Sequence, residues 1–211
     1  GTAAVKIVQL RETDDGWLVV SAGITAVPEG PQYDKHPPEA RSIRAIGDCL
    51  QLIRTGTKWA VCSISGPEVT VRGFELASLP PEEIGTAVFL EAVQVSPFNT
   101  EDIAVDYELI AGDKDKTTGF LVAATNKLLK SHLRLAKKAH LNCVLIDVDG
   151  LALLNCFNEI EKPKPGPRTA IINIGSSHTT LAIENENGLP FIRDLTYAGD
   201  SIIKHIADEN D

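Results

Sequence analysis

Two short apolar segments, each preceded by a segment with helical periodicity, restrict the possible fold more than any other feature of the sequence. The first is Trp59–Ile64 and the second covers residues 143–148. Apolar runs of this length are typical of strands that are buried on both faces of a sheet. The sequence therefore predicts an α/β fold with these two segments as buried strands.

The helices predicted around these strands have recognisable ends. One is expected over residues 39–54, with apolar residues three or four apart and Gly56 as its stop. Another is expected from Asn126, whose side chain can cap the first turn, to His140. A third is expected over residues 150–158, directly after the second apolar strand.

Size and composition indicate a globular protein of one or two domains. The chain has 211 residues, of which 43% are hydrophobic and 23% are charged. Its net charge of -9 argues against nucleic acid as a partner, because phosphate backbones are bound by concentrated basic surfaces.

The sequence also predicts a cytoplasmic protein. No apolar run approaches the roughly 20 residues that a membrane span needs. The N-terminus has no signal-peptide core. The four cysteines form no Cys-x-x-Cys pair and have apolar neighbours, which predicts buried reduced thiols rather than disulfides or a metal site. They are Cys49, Cys62, Cys143 and Cys156.

A β-hairpin is predicted at the N-terminus. The apolar and β-branched residues 4–10 are followed by Asp14-Asp15-Gly16, and residues 17–20 resume a strand. An Asp-Gly pair between two such runs is a strong hairpin signal. Residues 28–38, rich in Pro and Gly, are predicted to form a loop.

Residues 67–123 differ in their pattern of strands and helices from the sequence on either side, and are predicted to form a small inserted α+β subdomain. Pro80 and Pro81 precede two glutamates, a combination that marks a helix N-terminus. Pro97 stops this helix after about residue 95. The predicted strands of the subdomain cover residues 69–76, 103–110 and 119–124.

The clearest linker covers residues 161–167, which contain three prolines. A second unit of strands, turns and a helix follows it. The predicted domain organisation is a first domain of residues 1–66 and 124–162, the inserted subdomain of residues 67–123, and the start of a second domain at residues 168–211.

The two predicted hairpins form a weak internal repeat. Gly1-Thr2 precedes a strand, an Asp-Gly turn and a strand, while Gly175-Ser176-Ser177 precedes a strand, the Asn187-Gly188 turn and a strand. Related hairpins with small-residue turns at the same end fit a duplicated architecture that holds a ligand between its halves.

The segment from Ile171 to Thr180 carries the sharpest local signal. A buried strand ends at Asn173-Ile174, a Gly-Ser-Ser turn follows, and a hydroxyl-rich strand continues. Such a turn can direct backbone N–H groups and hydroxyls at one point and so bind an anion. Gly175 has no Cβ and would allow close approach to a phosphate. A plain hairpin turn explains the same residues equally well.

This segment resembles the second phosphate loop of the actin, sugar-kinase and Hsp70 superfamily, whose pattern is Asp-x-Gly-x-x-x-Thr. Gly1-Thr2 matches the end of the first phosphate loop of that superfamily. The resemblance implies that the strand and Asp of the first loop would precede residue 1. It also implies that the adenosine-binding region would follow residue 211.

Three further stretches resemble the PilM family of type IV pilus proteins within this superfamily. Residues 79–84, with residues 89–92 and Pro97-Phe98, resemble the inserted subdomain shared with the FtsA family. Residues 145–153 resemble the strand–helix crossover into the second domain, and residues 198–202 resemble the Gly-Gly-Asp turn that follows it. The resemblance implies an actin-like, ribonuclease-H-like fold.

The resemblance implies ATP or ADP with Mg²⁺ as the cofactor. Asn173 stands where the superfamily has a metal-binding Asp, so it would hold Mg²⁺ only through water, and we expect at most a slow ATPase. Asp147 lies near the expected γ-phosphate and either positions water or is structural. The implied phosphate-binding residues are Thr2, Gly175, Ser176, Ser177, Thr179 and Gly199.

Structural rather than ligand-binding roles are expected for three further residues. Asp149 is expected to cap the helix that follows it. His178 is expected to face solvent or to pack rather than to bind phosphate. Lys6 is expected to point to solvent from its strand.

The resemblance also implies a partner, the N-terminal cytoplasmic peptide of an inner-membrane PilN-like protein, held in a groove between the inserted subdomain and the first domain. Self-association is a further expectation, and direct membrane insertion is not. The alternatives are a nucleotide-independent scaffold similar to the L-type protein of type II secretion, a small-molecule kinase of the same superfamily, and a member of the FtsA family.

Overall fold

The computed structural model describes residues 1–110, 115–162, 169–185 and 188–210, and these residues form the predicted α/β arrangement. The strands are β1 (Ala4–Thr13), β2 (Gly16–Ala26), β3 (Trp59–Ile64), β4 (Val69–Ala77), β5 (Ile103–Ile110), β6 (Lys116–Thr125), β7 (Asn142–Val148), β8 (Ala170–Ile174), β9 (Thr179–Glu184) and β10 (Pro190–Leu195). The helices are α1 (Pro38–Ile53), α2 (Pro81–Val95), α3 (Asn126–Lys138), α4 (Asp149–Glu161) and α5 (Gly199–Asn210).

Within the described ranges the strands form four sheets, β1-β2, β3-β7, β4-β6-β5 and β10-β9-β8. Contacts group the chain into two compact units. One contains residues 1–61 and 131–145, and the other contains residues 62–130 and 146–211. The division into a first domain, an inserted subdomain and a second domain stays a prediction.

The predicted N-terminal hairpin is confirmed. β1 and β2 pair in antiparallel fashion, with Thr13 opposite Gly16 at the turn. Gly16 has a φ of 114°, a conformation that residues with a Cβ rarely adopt. The Thr13 hydroxyl donates a 2.7 Å hydrogen bond to the Gly16 carbonyl, which closes the turn.

α1 packs against this hairpin at Gly23 of β2. A Cβ at Gly23 would lie 3.3 Å from the sulfur of the buried Cys49, so the helix and the strand approach closely there. The chain leaves the helical conformation at Arg54, which has a φ of 52°. The predicted stop at Gly56 is therefore wrong, because Arg54 itself takes the left-handed conformation.

The prediction that β3 and β7 are buried on both faces is wrong. Trp59 is 68% exposed and Val61 is 63% exposed, while Ile64 is 3% exposed. In β7, Val144 is 57% exposed and Val148 is 3% exposed. Apolar composition indicates that a segment is hydrophobic. How much of each strand face is covered depends on the elements that pack against it in the tertiary structure.

The sheet β4-β6-β5 is packed on both faces. On one face α2 contributes Ile84, Val88 and Ala92 to a core that also contains Phe74 and Leu121. Each fully buried side chain of this size contributes about 1.5–3 kcal/mol to folding. The other face belongs to a second core, formed by Ile64, Val71, Ala124 and Val148, with Ile192 of β10 packed against it.

Thr125, not Asn126, caps α3. The Thr125 hydroxyl accepts a 3.2 Å hydrogen bond from the backbone N–H of Leu128, which is the bond that an N-cap residue makes. Asn126 instead donates from Nδ2 to a carboxylate oxygen of Asp102 at 2.8 Å. The reason is conformational, because Thr125 ends β6 with an extended backbone and Asn126 is already helical.

The C-terminal sheet β10-β9-β8 is antiparallel throughout and packs against α4. Gly150 near the start of α4 lies against the side chain of Ile192. The predicted linker at residues 161–167 and the turn at Asn187-Gly188 lie partly outside the described residues. Residues 112–118, which the sequence predicts to form a polar turn between the last two strands of the inserted subdomain, also lie partly outside the described residues.

The four cysteines form no disulfide, but only Cys49 is buried, and Cys156 is exposed. The predicted burial is therefore wrong for Cys156, which lies on α4 with its side chain away from the core. Lys6 is exposed on β1, as predicted. None of the helices in the described ranges is both long and apolar enough to cross a lipid bilayer.

Candidate functional site

The candidate phosphate-binding turn covers residues 175–178 and connects β8 to β9. Gly175 donates its backbone N–H to the carbonyl oxygen of His178 at 2.9 Å. A Cβ at Gly175 would lie 2.8 Å from that same oxygen, closer than real Cβ atoms approach. The turn therefore requires glycine at position 175 for its own closure.

The N-terminus of α5 lies directly on this turn. The backbone N–H of Gly199 donates to the carbonyl oxygen of Gly175, and that of Asp200 donates to the carbonyl oxygen of Ser176, both at 2.9 Å. A Cβ at Gly199 would lie 3.1 Å from the Gly175 oxygen. Two segments that the sequence analysis selected separately are thus in contact.

The hydroxyl groups of the turn are also engaged within the chain. Ser176 Oγ donates to the carboxylate of Asp200, with distances of 2.7 and 2.8 Å to its two oxygens. Thr179 Oγ1 donates to the carbonyl oxygen of Tyr197 at 2.8 Å. An anion at this turn would have to replace these bonds and would lie close to the Asp200 carboxylate.

His178 packs within the chain, which agrees with the expectation that its side chain faces solvent or packs. Its ring Nδ1 lies 2.8 Å from the hydroxyl oxygen of Ser177. Its ring Nε2 lies 3.7 Å from the position that a Cβ at Gly66 would occupy. The turn at residues 175–178 is therefore next to the segment that follows β3.

That neighbouring segment is held by two carboxylates, of which Asp194 was not predicted from the sequence and Asp149 was expected only to cap α4. Asp194 of β10 accepts the backbone N–H of Gly66 at 2.6 Å and the hydroxyl of Thr180 at 2.7 Å. Asp149 accepts the hydroxyl of Ser65 at 2.7 Å. For Asp194 the available signal was an Asp near the end of a strand, since Asp is depleted in strands.

The structure corrects the expected role of Asp149. Val148 occupies the N-cap position of α4 and Asp149 is the first helical residue, so Asp149 does not cap the helix. Its negative charge still lies at the positive end of the helix dipole. Its carboxylate is bonded to Ser65, a residue far away in the sequence.

The remaining predicted site residues are not part of the turn at residues 175–178. Asn173 is exposed on β8, opposite Thr180 of β9. Asp147 is half-buried at the end of β7, and one of its carboxylate oxygens accepts the N–H of Val148 at 2.7 Å. Thr2 precedes β1 in the unit that contains the N-terminus, so its proximity to Gly175 stays a prediction.

No group of three or more His, Cys, Asp or Glu residues that could hold a metal ion occurs in the part of the chain that the structure describes. The role of Asn173 in holding Mg²⁺ through water is a prediction. Carboxylates and water are the ligands that Mg²⁺ prefers, commonly together with substrate phosphates.

Solved structures share the fold of this chain. The chain matches a chain of the "PilM-PilN type IV pilus biogenesis complex" with a TM-score of 0.81 and 22% identity, covering 99% of this chain and 63% of that one. It also matches the cytoplasmic domain of EpsL, an inner membrane component of the type II secretion system of Vibrio cholerae. That match has a TM-score of 0.55 and 14% identity, covering 90% of this chain and 66% of that one.

A family match over the whole sequence identifies the family of this chain. The profile of the family described as "Type IV pilus assembly protein PilM" matches residues 1–211, so the chain belongs to the PilM family. The family predicted from the sequence is thereby confirmed. The chain spans 63% of the length of the matching chain in the PilM-PilN structure and 66% of that of the EpsL domain.

Proposed function

We propose that this chain is part of an actin-like scaffold of type IV pilus assembly, cytoplasmic and peripheral to the inner membrane through its partners. The observation that carries the proposal is the match of the PilM family to residues 1–211. The structural likeness over 99% of the chain to a PilM-PilN complex supports it further.

The proposed partner is the N-terminal cytoplasmic peptide of an inner-membrane PilN-like protein. One solved structure that is similar in fold over 99% of this chain is a complex named for PilM and PilN together. A scaffold that holds a short peptide of a membrane protein reaches the membrane without a membrane-spanning helix of its own. Self-association of the scaffold would then arrange several such peptides.

Peptide binding can be tested with the natural full-length protein. A fluorescent peptide with the N-terminal sequence of the PilN-like protein from the same organism should bind saturably, as measured by anisotropy. A peptide of the same composition in scrambled order is the matched control. Absence of saturation at millimolar protein, or equal binding of the scrambled peptide, would contradict this part of the proposal.

We further propose that the scaffold binds ATP or ADP weakly and hydrolyses ATP slowly or not at all. Gly175, Ser176, Ser177, Thr179 and Gly199 would contact the phosphates, as would Thr2. Binding would have to exchange the Ser176–Asp200 bond for a phosphate contact, which lowers affinity.

Slow hydrolysis is proposed because Asn173 has no charge with which to bind Mg²⁺ directly. Asp147 would be the residue that positions the attacking water, because the family resemblance implies that it lies near the γ-phosphate. Nucleotide would serve mainly as a conformational ligand, whose effect is limited by its difference in affinity for two states. Calorimetric titration of the full-length protein with Mg-ATP tests this, and no heat at millimolar ligand would contradict it.

A nucleotide-independent scaffold is the second candidate. Asn173 and the engagement of the turn hydroxyls within the chain favour it, as does the structural likeness to the EpsL cytoplasmic domain. This candidate predicts that the peptide binds with the same affinity with and without Mg-ATP. A change in peptide affinity on adding Mg-ATP would favour the nucleotide-responsive scaffold.

A further inference from the structure

Asp194 of β10 connects β9 to the segment that follows β3. Its two carboxylate oxygens accept hydrogen bonds from the Gly66 backbone at 2.6 Å and from the Thr180 hydroxyl at 2.7 Å. Thr180 is 3% exposed and Gly66 is buried, while Asp194 is half-buried, so both bonds are partly shielded from water. Charge-assisted bonds of this length are stronger than bonds between neutral groups. We call this pair of bonds the Asp194 bridge.

The Asp194 bridge is continued by contacts to the candidate phosphate-binding turn. Gly66 lies beside the His178 ring, whose Nδ1 is 2.8 Å from the Ser177 hydroxyl. The His178 carbonyl accepts the N–H of Gly175 and so closes the turn. Thr180 is the second residue of β9 and lies directly opposite Asp194 in the pairing of β9 with β10. Both ends of the bridge therefore limit where residues 175–178 can lie.

Gly66 is suited to this contact by its conformation. It has a φ of 101°, which a residue with a Cβ rarely adopts. In that conformation its N–H donates to Asp194. The position that a Cβ would occupy faces the His178 ring. The neighbouring Ser65 is fixed independently by Asp149, so the segment after β3 is held at two successive residues.

We propose that Asp194 is a positioning residue, which holds the turn at residues 175–178 in place through Gly66 and His178. The nucleotide part of its role rests on the proposed function, whereas the positioning of the turn does not. By sequence, Gly66 ends the first segment of the predicted first domain and Asp194 lies in the predicted second domain. The bridge thus ties the turn to a residue assigned to the other domain.

Amide hydrogen exchange of the full-length protein tests the positioning. In Asp194→Ala, the Gly66 amide loses its acceptor and should exchange faster in any case. The decisive readout is the Gly175 amide, which does not touch Asp194 and should exchange about tenfold faster if the turn has lost its support. The nitrogen signals of the His178 ring should shift as well.

Asp194→Asn and Asp106→Ala are the matched variants. The Asn side chain can accept from Gly66 through its oxygen and donate to the Thr180 hydroxyl, so Asp194→Asn should restore slow exchange at Gly175 to within about twofold of the parent. Asp106 is a strand carboxylate on β5 that bonds only the adjacent Tyr107 amide among the bonds described, and its removal should leave Gly175 unchanged. Unchanged Gly175 exchange in Asp194→Ala would overturn the proposal.

Thr180→Val covers the case in which Asp194→Ala does not fold. It keeps the volume of the buried side chain but removes one bond of the bridge, and Gly175 exchange should rise about threefold. No rise would overturn the proposal. Mg-ATP affinity is measured in parallel. If the parent binds no nucleotide but Gly175 responds as expected, the nucleotide function fails and the positioning role stands.

Discussion

The hydroxyl of Ser176 lies 2.7 and 2.8 Å from the two carboxylate oxygens of Asp200. The same two residues are joined through their backbones, since the Asp200 N–H donates to the Ser176 carbonyl oxygen. The turn at residues 175–178 and the first turn of α5 thus form one hydrogen-bonded junction. A negative charge is placed where the sequence predicts that a phosphate binds.

This junction predicts how Asp200 affects nucleotide affinity. In the full-length protein, Asp200→Asn should raise the affinity for ADP without Mg²⁺ by about threefold to tenfold, because a like charge near the phosphates is removed. A fluorescent nucleotide competition assay would measure the change. Asp208→Asn, on the same helix and with the same change in net charge, is the control. An equal increase in both variants, or none in either, would contradict the prediction.

Asn173 predicts the hydrolytic activity. Asn173→Asp should raise Mg-dependent phosphate release by about tenfold or more, because a charged carboxylate can bind Mg²⁺ and orient water near the phosphates. The assay compares the variant with the parent and with Asn185→Asp, which adds the same charge in the loop after β9. If Asn173→Asp gains neither affinity nor turnover, the nucleotide-independent scaffold is favoured.

Gly119 predicts a strong effect on stability. A Cβ at Gly119 of β6 would collide with the backbone carbonyl of Glu108 on β5 and lie 2.8 Å from the Phe74 ring. Gly119→Ala should lower the free energy of unfolding by about 2 kcal/mol or more, because the backbone of β5 cannot move aside cheaply. Urea denaturation measures the change.

Gly47→Ala is the matched control for that experiment. Gly47 lies inside α1, and a Cβ there would meet no atom within 4 Å. The variant should raise the free energy of unfolding by about 0.5–1 kcal/mol, because alanine favours the helix. Similar destabilisation by both substitutions would show that packing at Gly119 is not the cause.

The cap of α3 predicts different effects at two adjacent residues. Thr125→Ala removes both the bond from the Leu128 amide and the bond to the Glu68 carboxylate, and should cost about 1 kcal/mol of stability or more. Thr125→Ser keeps the hydroxyl and should cost less. Asn126→Ala removes only an exposed bond to Asp102 and should change stability by less than about 0.5 kcal/mol. Thermal and urea unfolding would compare them, and a larger loss at Asn126 would restore Asn126 as the capping residue.

Local features were predicted well because neighbouring residues determine them. The hairpin at Gly16 follows from an Asp-Gly pair between apolar runs, and β5 has the bounds that its sequence predicts. The turn after Ile174 could also be located from its Gly-Ser-Ser sequence. Two errors occurred at Gly56 and Asn126, because a residue one or two positions earlier, Arg54 or Thr125, takes the predicted role.

The sequence by itself determined the α/β fold class, the order of most elements and the family, because apolar periodicity and turn residues act over short distances. The tertiary structure alone decided the state of the candidate site. Asp194 reaches Gly66 across 128 positions and Asp149 reaches Ser65 across 84. Such bonds form only when packing brings strands and turns together, and no local pattern specifies which carboxylate will meet which backbone N–H or hydroxyl.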